Sequence, residues 1–199
     1  MGRTNARYTV TVEVPRRFSA ALDLGSGDVE VGSLRGDLAV DVGSGDVSVS
    51  DVDGDRIALD TGSGDVTGRA LRGEVAVETG SGDVRLDRVD GRLAVSTGSG
   101  DVEAGEVAGP SAVETGSGDV ALRLRTAART SVGTGSGDVT LRLPRAGFDV
   151  ALSGGPVRID RALDFDGRTD RRSASGRVNG GGPRIEVSTG SGDIRLRAR

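Results

Sequence analysis

The chain has 199 residues, with 26 basic side chains that are all Arg, 30 Asp or Glu, no His, no Cys and a net charge of -4. The absence of Cys and His excludes disulfides, thiol nucleophiles, Ser-His-Asp triads and the usual nitrogen or sulfur ligands of zinc and copper. An acidic balance with only 2% aromatics excludes the basic, base-stacking surface of a nucleic-acid binder and leaves a thin core of Val, Leu and Ile.

Residues 7–14 read RYTVTVEV, an alternation that places Tyr8, Val10, Val12 and Val14 on one face. This predicts a strand, and Pro15 ends it. Solenoid ends need covering, so residues 1–17 are expected to form an N-terminal capping strand. No stretch approaches the roughly 18 apolar residues of a membrane span, and the N-terminus lacks an apolar signal-peptide core.

From residue 18 onward one motif recurs. Gly-Ser-Gly-Asp begins at Gly25, Gly43, Gly62, Gly80, Gly98, Gly116, Gly135 and Gly190, and the first seven copies lie 18 or 19 residues apart. The last gap has room for two decayed copies, at Ser153-Gly154-Gly155-Pro156-Val157 and Ala174-Ser175-Gly176-Arg177-Val178. A short fixed period marks a solenoid, in which each unit buries its apolar face against its neighbours. Between the motifs, apolar residues come in pairs spaced by two, such as Val47/Val49, Ile57/Leu59 and Val84/Leu86. That is strand periodicity, not helical spacing. The expected fold is all-β, a single right-handed parallel β-helix of about ten coils, two or three short strands each, over residues 18–199. Its handedness follows the general preference for right-handed crossovers. Residues 158–182 break the period and are expected to form an irregular coil, with Leu163 and Phe165 as anchors into the core.

The motif glycines Gly25/Gly27, Gly43/Gly45, Gly62/Gly64, Gly80/Gly82, Gly98/Gly100, Gly116/Gly118, Gly135/Gly137 and Gly190/Gly192 are expected to be structural turn residues, because glycine accepts positive φ. The aspartates that follow them, Asp28, Asp46, Asp65, Asp83, Asp101, Asp119, Asp138 and Asp193, form one column. Its first reading is turn chemistry, a carboxylate accepting a nearby backbone N–H. The alternative is calcium held by Asp28 to Asp138, as in glycine-aspartate rolls, although those carry the signature about every nine residues rather than every 18. The Thr61, Thr79, Thr97, Thr115, Thr134 and Thr189 column reads as a semi-buried packing position. Ala39, Ala58, Ala76, Ala94 and Ala112 face outward beside Asp41, Asp60, Glu78 and Glu114, a flat strip whose first reading is an ordinary solvated sheet face and whose second is a surface for a protein or glycan ligand. An enzyme would need a defined cluster where the repeat breaks. The candidates there, Asp164, Asp166, Arg168 and Asp170, supply no nucleophile, base and orienting group together, so no catalytic residue and no cofactor are expected.

The TGSGDV turns, the ending Arg184-Ile185-Glu186-Val187-Ser188-Thr189-Gly190-Ser191-Gly192-Asp193-Ile194, and the Gly-Gly-Gly-Pro turn before it resemble a family of bacterial adhesin-like domains of unknown function. The resemblance implies a β-solenoid that is not an enzyme, located outside the cytoplasm in the cell envelope or secreted, and acting as a surface scaffold. It supplies no binding residues.

Overall fold

The computed structural model describes residues 9–199, and no helix occurs among them. The repeat winds into a parallel β-solenoid with two main walls, sheets A and B. The chain enters sheet A with β1 (Ala20–Leu24), turns at the first Gly-Ser-Gly-Asp, runs along sheet B as β2 (Val29–Arg35) and returns to sheet A as β3 (Leu38–Val42). β4 (Val47–Ser63) and β5 (Val66–Ser81) are longer because each follows sheet B, rounds the corner and continues along sheet A. Sheet B then gains β6 (Val84–Asp90), β8 (Val102–Val107), β10 (Val120–Leu124) and β12 (Val139–Leu143). Sheet A gains β7 (Leu93–Ser99), β9 (Ser111–Ser117) and β11 (Thr130–Ser136). The pairing keeps column on column: Leu38 lies beside Ile57, Ile57 beside Val75, and Val75 beside Leu93.

Each turn sends six side chains inward. In the second and third turns these are Val47, Val49, Val52, Ile57, Leu59 and Thr61, all buried. The step from Val49 to Val52 is three residues, so strict alternation would point Val52 outward. A left-handed residue restores the phase: Ser33, Asp51 and Ala70 hold φ of 54°, 54° and 53° at this corner in successive turns. Such backbone is uncommon for residues with a Cβ. Here it serves the bend in three turns, while Arg88 and Glu106 stand at the same corner in later turns without positive φ.

The same corner bears on residues 9–14, the described part of the expected capping strand, which form no strand. Arg17 bridges Arg35, which pairs with Asp53, which pairs with Arg72. Counting back two residues from each aligns Pro15 with Ser33, Asp51 and Ala70. Proline's ring fixes φ near about -65°. It cannot take the positive φ of these three counterparts, and the chain joins the stack only from Arg16 onward. Residues 9–14 form no strand, and Tyr8 lies outside the described residues.

The C-terminal end departs further from a simple count of coils. Seven turns, from β1 to β12, follow one another in chain order, fewer than the ten expected. The chain then skips a level. β13 (Phe148–Ser153) and β14 (Val157–Ile159) do not lie on β11 and β12. Those positions are taken by the last two strands, β17 (Arg184–Ser191) on β11 and β18 (Ile194–Ala198) on β12. β13 and β14 sit on the far side of β17 and β18. The final coil is therefore intercalated between two earlier ones. The stretch 158–182 is not an irregular coil: β15 (Phe165–Asp170) and β16 (Ser173–Val178) form an antiparallel hairpin, and β16 pairs antiparallel with β13. The copy expected at Ala174–Val178 is a strand of this lid. Leu163 is buried beneath it and Phe165 packs against the core, as expected.

Intercalation requires two connections to cross. Residues 144–147 climb past one level, and residues 179–183 reverse the chain through Asn179, Gly180 and Gly181, with φ of 49°, 88° and 89°. A Cβ on Gly182 would sit 2.5 Å from the Gly147 carbonyl oxygen. Only glycine allows the two loops to pass this closely.

Candidate functional site

The Gly-Ser-Gly-Asp turns stack into one continuous edge along the rod. Its two glycines have separate tasks, which corrects the expectation of positive φ at both. The second one carries the left-handed backbone: φ is 121° at Gly27, 141° at Gly45, 147° at Gly64, 155° at Gly82, 146° at Gly100, 142° at Gly118, 148° at Gly137 and 138° at Gly192. The first has no positive φ. Gly62, Gly80, Gly98, Gly116, Gly135 and Gly190 still belong to strands β4, β5, β7, β9, β11 and β17. Close stacking is what requires glycine at this position. Each first glycine lies directly over the one at the level before it, so a Cβ on Gly43 would stand 2.5 Å from the Gly25 carbonyl oxygen. Gly25 and Gly27, at the open end, have no neighbour within 4 Å of an added Cβ. Gly27 is therefore held by its φ alone, whereas Gly64, Gly82 and Gly100 are held both by φ and by the carbonyl stacked against them.

On this edge the strand ladder is interrupted, and every backbone N–H left over needs an acceptor. The aspartates supply it. The N–H of Asp46 donates to Asp28 Oδ1 at 3.1 Å, that of Asp65 to Asp46 at 2.9 Å, that of Asp83 to Asp65 at 2.8 Å and that of Asp101 to Asp83 at 2.9 Å. The series continues from Asp119 to Asp101 at 2.8 Å, from Asp138 to Asp119 at 2.7 Å and from Asp193 to Asp138 at 2.7 Å. The last step spans 55 residues and joins the intercalated coil to the seventh turn. At the next level the column holds Pro156, which has no N–H to donate. The ladder ends where its donor ends.

These bonds set the electrostatics of the edge. The backbone N–H of Asp101 holds the Asp83 carboxyl below the ordinary carboxylate value, with help from Arg85. The N–H of Asp193 and then the Arg195 guanidinium do the same for Asp138. Arg195 bridges Asp138 and Asp193 at 2.6 and 2.7 Å, and its own pKa is raised by the bond to Asp138. Like charges stacked one level apart are thus offset by dipoles and cations. Among the described residues no three carboxylates converge in the manner of a metal site.

Threonines of the neighbouring column face the same turns from inside. Thr61 donates to the Gly45 carbonyl at 3.0 Å, Thr134 to Gly118 at 3.2 Å and Thr189 to Gly137 at 3.1 Å. The column is buried, and its hydroxyls cap glycine carbonyls one turn away. Thr97 is the exception, with a buried hydroxyl that has no partner.

The outer faces carry the remaining candidates. On sheet A, Ala21, Ala39, Ala58, Ala76, Ala94 and Ala112 lie in register from level to level. Beside them Asp23, Asp41, Asp60 and Glu78 form an acidic file, none of them in an ion pair among the described residues. Sheet B holds its counterpart at the other end, where Arg123, Arg142 and Arg197 lie side by side. Sequence reasoning missed this basic file. Its signal was the position three residues after each apolar pair begins, which is Arg at Arg69 and then at Arg123, Arg142 and Arg197. The rod is polarised as a result: residues 1–122 hold 11 Arg against 22 Asp and Glu, and residues 123–199 hold 15 Arg against 8.

The residues weighed for catalysis lie on the lid hairpin. Asp166 and Asp170 are on β15 with Arg168 between them, Asp164 just precedes it, and all four are exposed. Asp166 stands 3.8 Å from Arg177 with its side chain 85% exposed, and the Asp164 N–H donates to Asn179 Oδ1. Each carboxylate meets a structural partner or solvent.

Residues 3–197 match the family described as Toastrack DUF4097. The chain belongs to this family. No curated protein and no solved structure matches it. A Toastrack domain is a domain of unknown function, so the family fixes kinship and leaves the activity to be argued from the surface. In this Toastrack chain the outer face of sheet A presents small side chains in register over six successive levels, from Ala21 to Ala112.

Proposed function

We propose that this domain is a non-enzymatic, adhesin-like scaffold that works outside the cytoplasm, in the cell envelope or secreted, and binds a protein or glycan along the outer face of sheet A. The observation that carries the reading is the file of alanines from Ala21 to Ala112 beside the acidic file from Asp23 to Glu78. Small side chains leave the face flat enough for an extended ligand to lie across successive strands, and fixed acidic groups give it an orientation. Ordinary monomer surfaces also expose scattered small residues. Here they are aligned at one spacing, about 4.8 Å per level, which an extended ligand can match.

The calcium reading assigns the aspartate column to a metal. Against it, one oxygen of each carboxylate from Asp28 to Asp138 is already occupied by the backbone N–H of the next level. The column is better read as the spine that keeps the face rigid.

The test is binding of the purified domain to a glycan array and to intact bacterial and host cells, beside an Ala58→Arg/Ala94→Arg variant. Both substitutions point away from the core. The reading requires binding by the native chain and at least a tenfold loss in the variant. A native chain that binds neither surface, or a variant that binds equally well, overturns it.

A further inference from the structure

The two ends of the rod are finished differently. At the C-terminal end the hairpin β15–β16 covers β13, so the stack stops against an antiparallel lid. At the other end β1 pairs only with β3, and β2 pairs with β4 and meets residues 16–18 only at Arg35 among the described residues, which leaves one edge of β1 and most of one edge of β2 open. Core residues thin out there as well. Ala20, Leu22, Leu24 and Val31 are partly exposed, while their register partners Leu38, Val40, Val42 and Val49 are buried. An open edge with exposed apolar side chains is a template for another strand.

The large hydrophobic residues that are exposed among the described residues all precede β1 in the chain: Val10 at 83%, Val12 at 71%, Val14 at 42% and Phe18 at 44%. Three of them alternate in residues 9–14, which have strand-forming sequence and no strand partner among the described residues. Among the described residues they pair with neither free edge of their own molecule. Residues 16–18 are fixed over Arg35, through Phe18 N–H to the Arg35 carbonyl at 3.0 Å and Arg35 N–H to the Arg16 carbonyl at 2.7 Å. The residues before Pro15 have left the stack.

We propose that the open end is the contact surface of a two-fold dimer, in which residues 9–14 of each copy pair along the free edge of β1 in the other. The exchange covers Val10, Val12 and Val14 together with Leu22 and Leu24, and supplies the missing N-terminal lid. Because the same patch serves both copies, the contact closes at two. The lid at the far end prevents growth into a fibre.

Sedimentation equilibrium of the full chain between about 1 and 100 µM tests this, with concentrations chosen to bracket affinities typical of modest interfaces. The expected native mass is twice the 20.2 kDa of one chain. Val12→Asp, which puts a charge on an exposed position, and Thr11→Pro, which removes a strand donor, should each return the mass to one chain at every concentration while leaving the circular dichroism and melting midpoint of the monomer in place. A native chain that remains monomeric throughout overturns the proposal, and so does a dimer that survives both substitutions, since its interface lies elsewhere.

Discussion

The first seven turns and the last coil use the same residues to different ends. In the early turns each level rests on the one made just before it, and the inter-turn bonds of the aspartates span 18 or 19 residues. In the last coil the same Gly-Ser-Gly-Asp turn bonds across 55 residues and enters a level already bounded on both sides. The motif therefore encodes a place in the stack and leaves open which segment fills it. Chain order is set by the connections, by the climb at residues 144–147 and the glycine reversal at 179–183.

Removing levels breaks the comparison most directly. Deleting residues 1–37 takes away the end turn and leaves β3 as the new edge, so the shortened rod should still melt as one cooperative unit at a lower midpoint. Ending the chain after Pro183 removes a level from inside the stack. β11 and β12 then face a gap before β13 and β14, and Val132, Leu141 and Leu143 lose the partners that bury them. Even one core truncation at this level, Leu196→Ala, is expected to cost about 2–5 kcal/mol, equal to roughly 4–20 °C at the scale of about 2–4 °C per kcal/mol for a chain of this size. The internal truncation should abolish cooperative melting, as read by circular dichroism. If it melts as sharply as the end truncation, the last coil is not an integral level.

Lowering the pH acts on the spine. The Asp83 and Asp138 carboxyls are depressed in the folded chain, Asp83 by a backbone N–H within the early turns and Asp138 by the N–H of the intercalated Asp193. A depressed carboxyl gives stability that is present above its unfolded pKa, near the ordinary aspartate value of 3.8, and is lost as pH falls through the folded value. The melting midpoint should hold from neutrality to about pH 5 and fall steadily below about pH 4. Asp138→Asn should flatten that fall more than Asp41→Asn, because Asp41 belongs to the exposed file that takes part in no bond along the spine. Equal acid profiles for the two variants would remove Asp138 from this role.

These contrasts also show what could be read in the sequence. The period and the two-residue spacing pointed to the solenoid, because identical levels must place identical residues in columns. The glycines were legible as turn residues, but only the second of each pair, such as Gly64 or Gly82, is there for its φ. The first is there because another level lies against it, and that neighbour is a full turn away in sequence. The aspartates were legible as acceptors of a backbone N–H, although their donors also lie a full turn away rather than nearby. Three things were hidden. Pro15 looked like the end of a strand, but no strand precedes it among the described residues, and the register aligns it with corner residues that take positive φ in three turns, which proline cannot. The decayed copy at Ala174–Val178 kept the spacing of a turn, but strand direction is not written in spacing, and it runs antiparallel. Level order was hidden for the same reason: Ile194 matches the column of Val139 and Val157 equally well, so nothing local states that it lies between them.

A smaller effect separates the threonines. Thr61 caps the Gly45 carbonyl, whereas Thr97 is buried with its hydroxyl unpaired. Replacing each by Val keeps the shape and removes the hydroxyl. Thr61→Val leaves a carbonyl without its donor and should cost about 1 kcal/mol, while Thr97→Val removes an unsatisfied group and should be neutral or stabilising. Chemical denaturation with matched slopes resolves the difference. A larger loss at Thr97 would show that its hydroxyl has a partner after all.

The smallest expected effect is none, and it bears on the whole length of the spine at once. A calcium ion takes about six to eight oxygens at about 2.3–2.6 Å. Each level from Asp28 to Asp138 offers one carboxylate, and its Oδ1 already holds the N–H of the level above, so an ion could enter only by displacing the bonds that order the turn. The remaining oxygens of Asp83, Asp138 and Asp193 are drawn to Arg85 and Arg195. Melting in excess EDTA and in millimolar Ca²⁺ should therefore give one midpoint. A ligand that binds only the folded chain raises stability by mass action, about 2.7 kcal/mol at a hundredfold excess over its dissociation constant. A rise of that order would mean that the carboxylates trade backbone for metal, and that the spine is a loaded one.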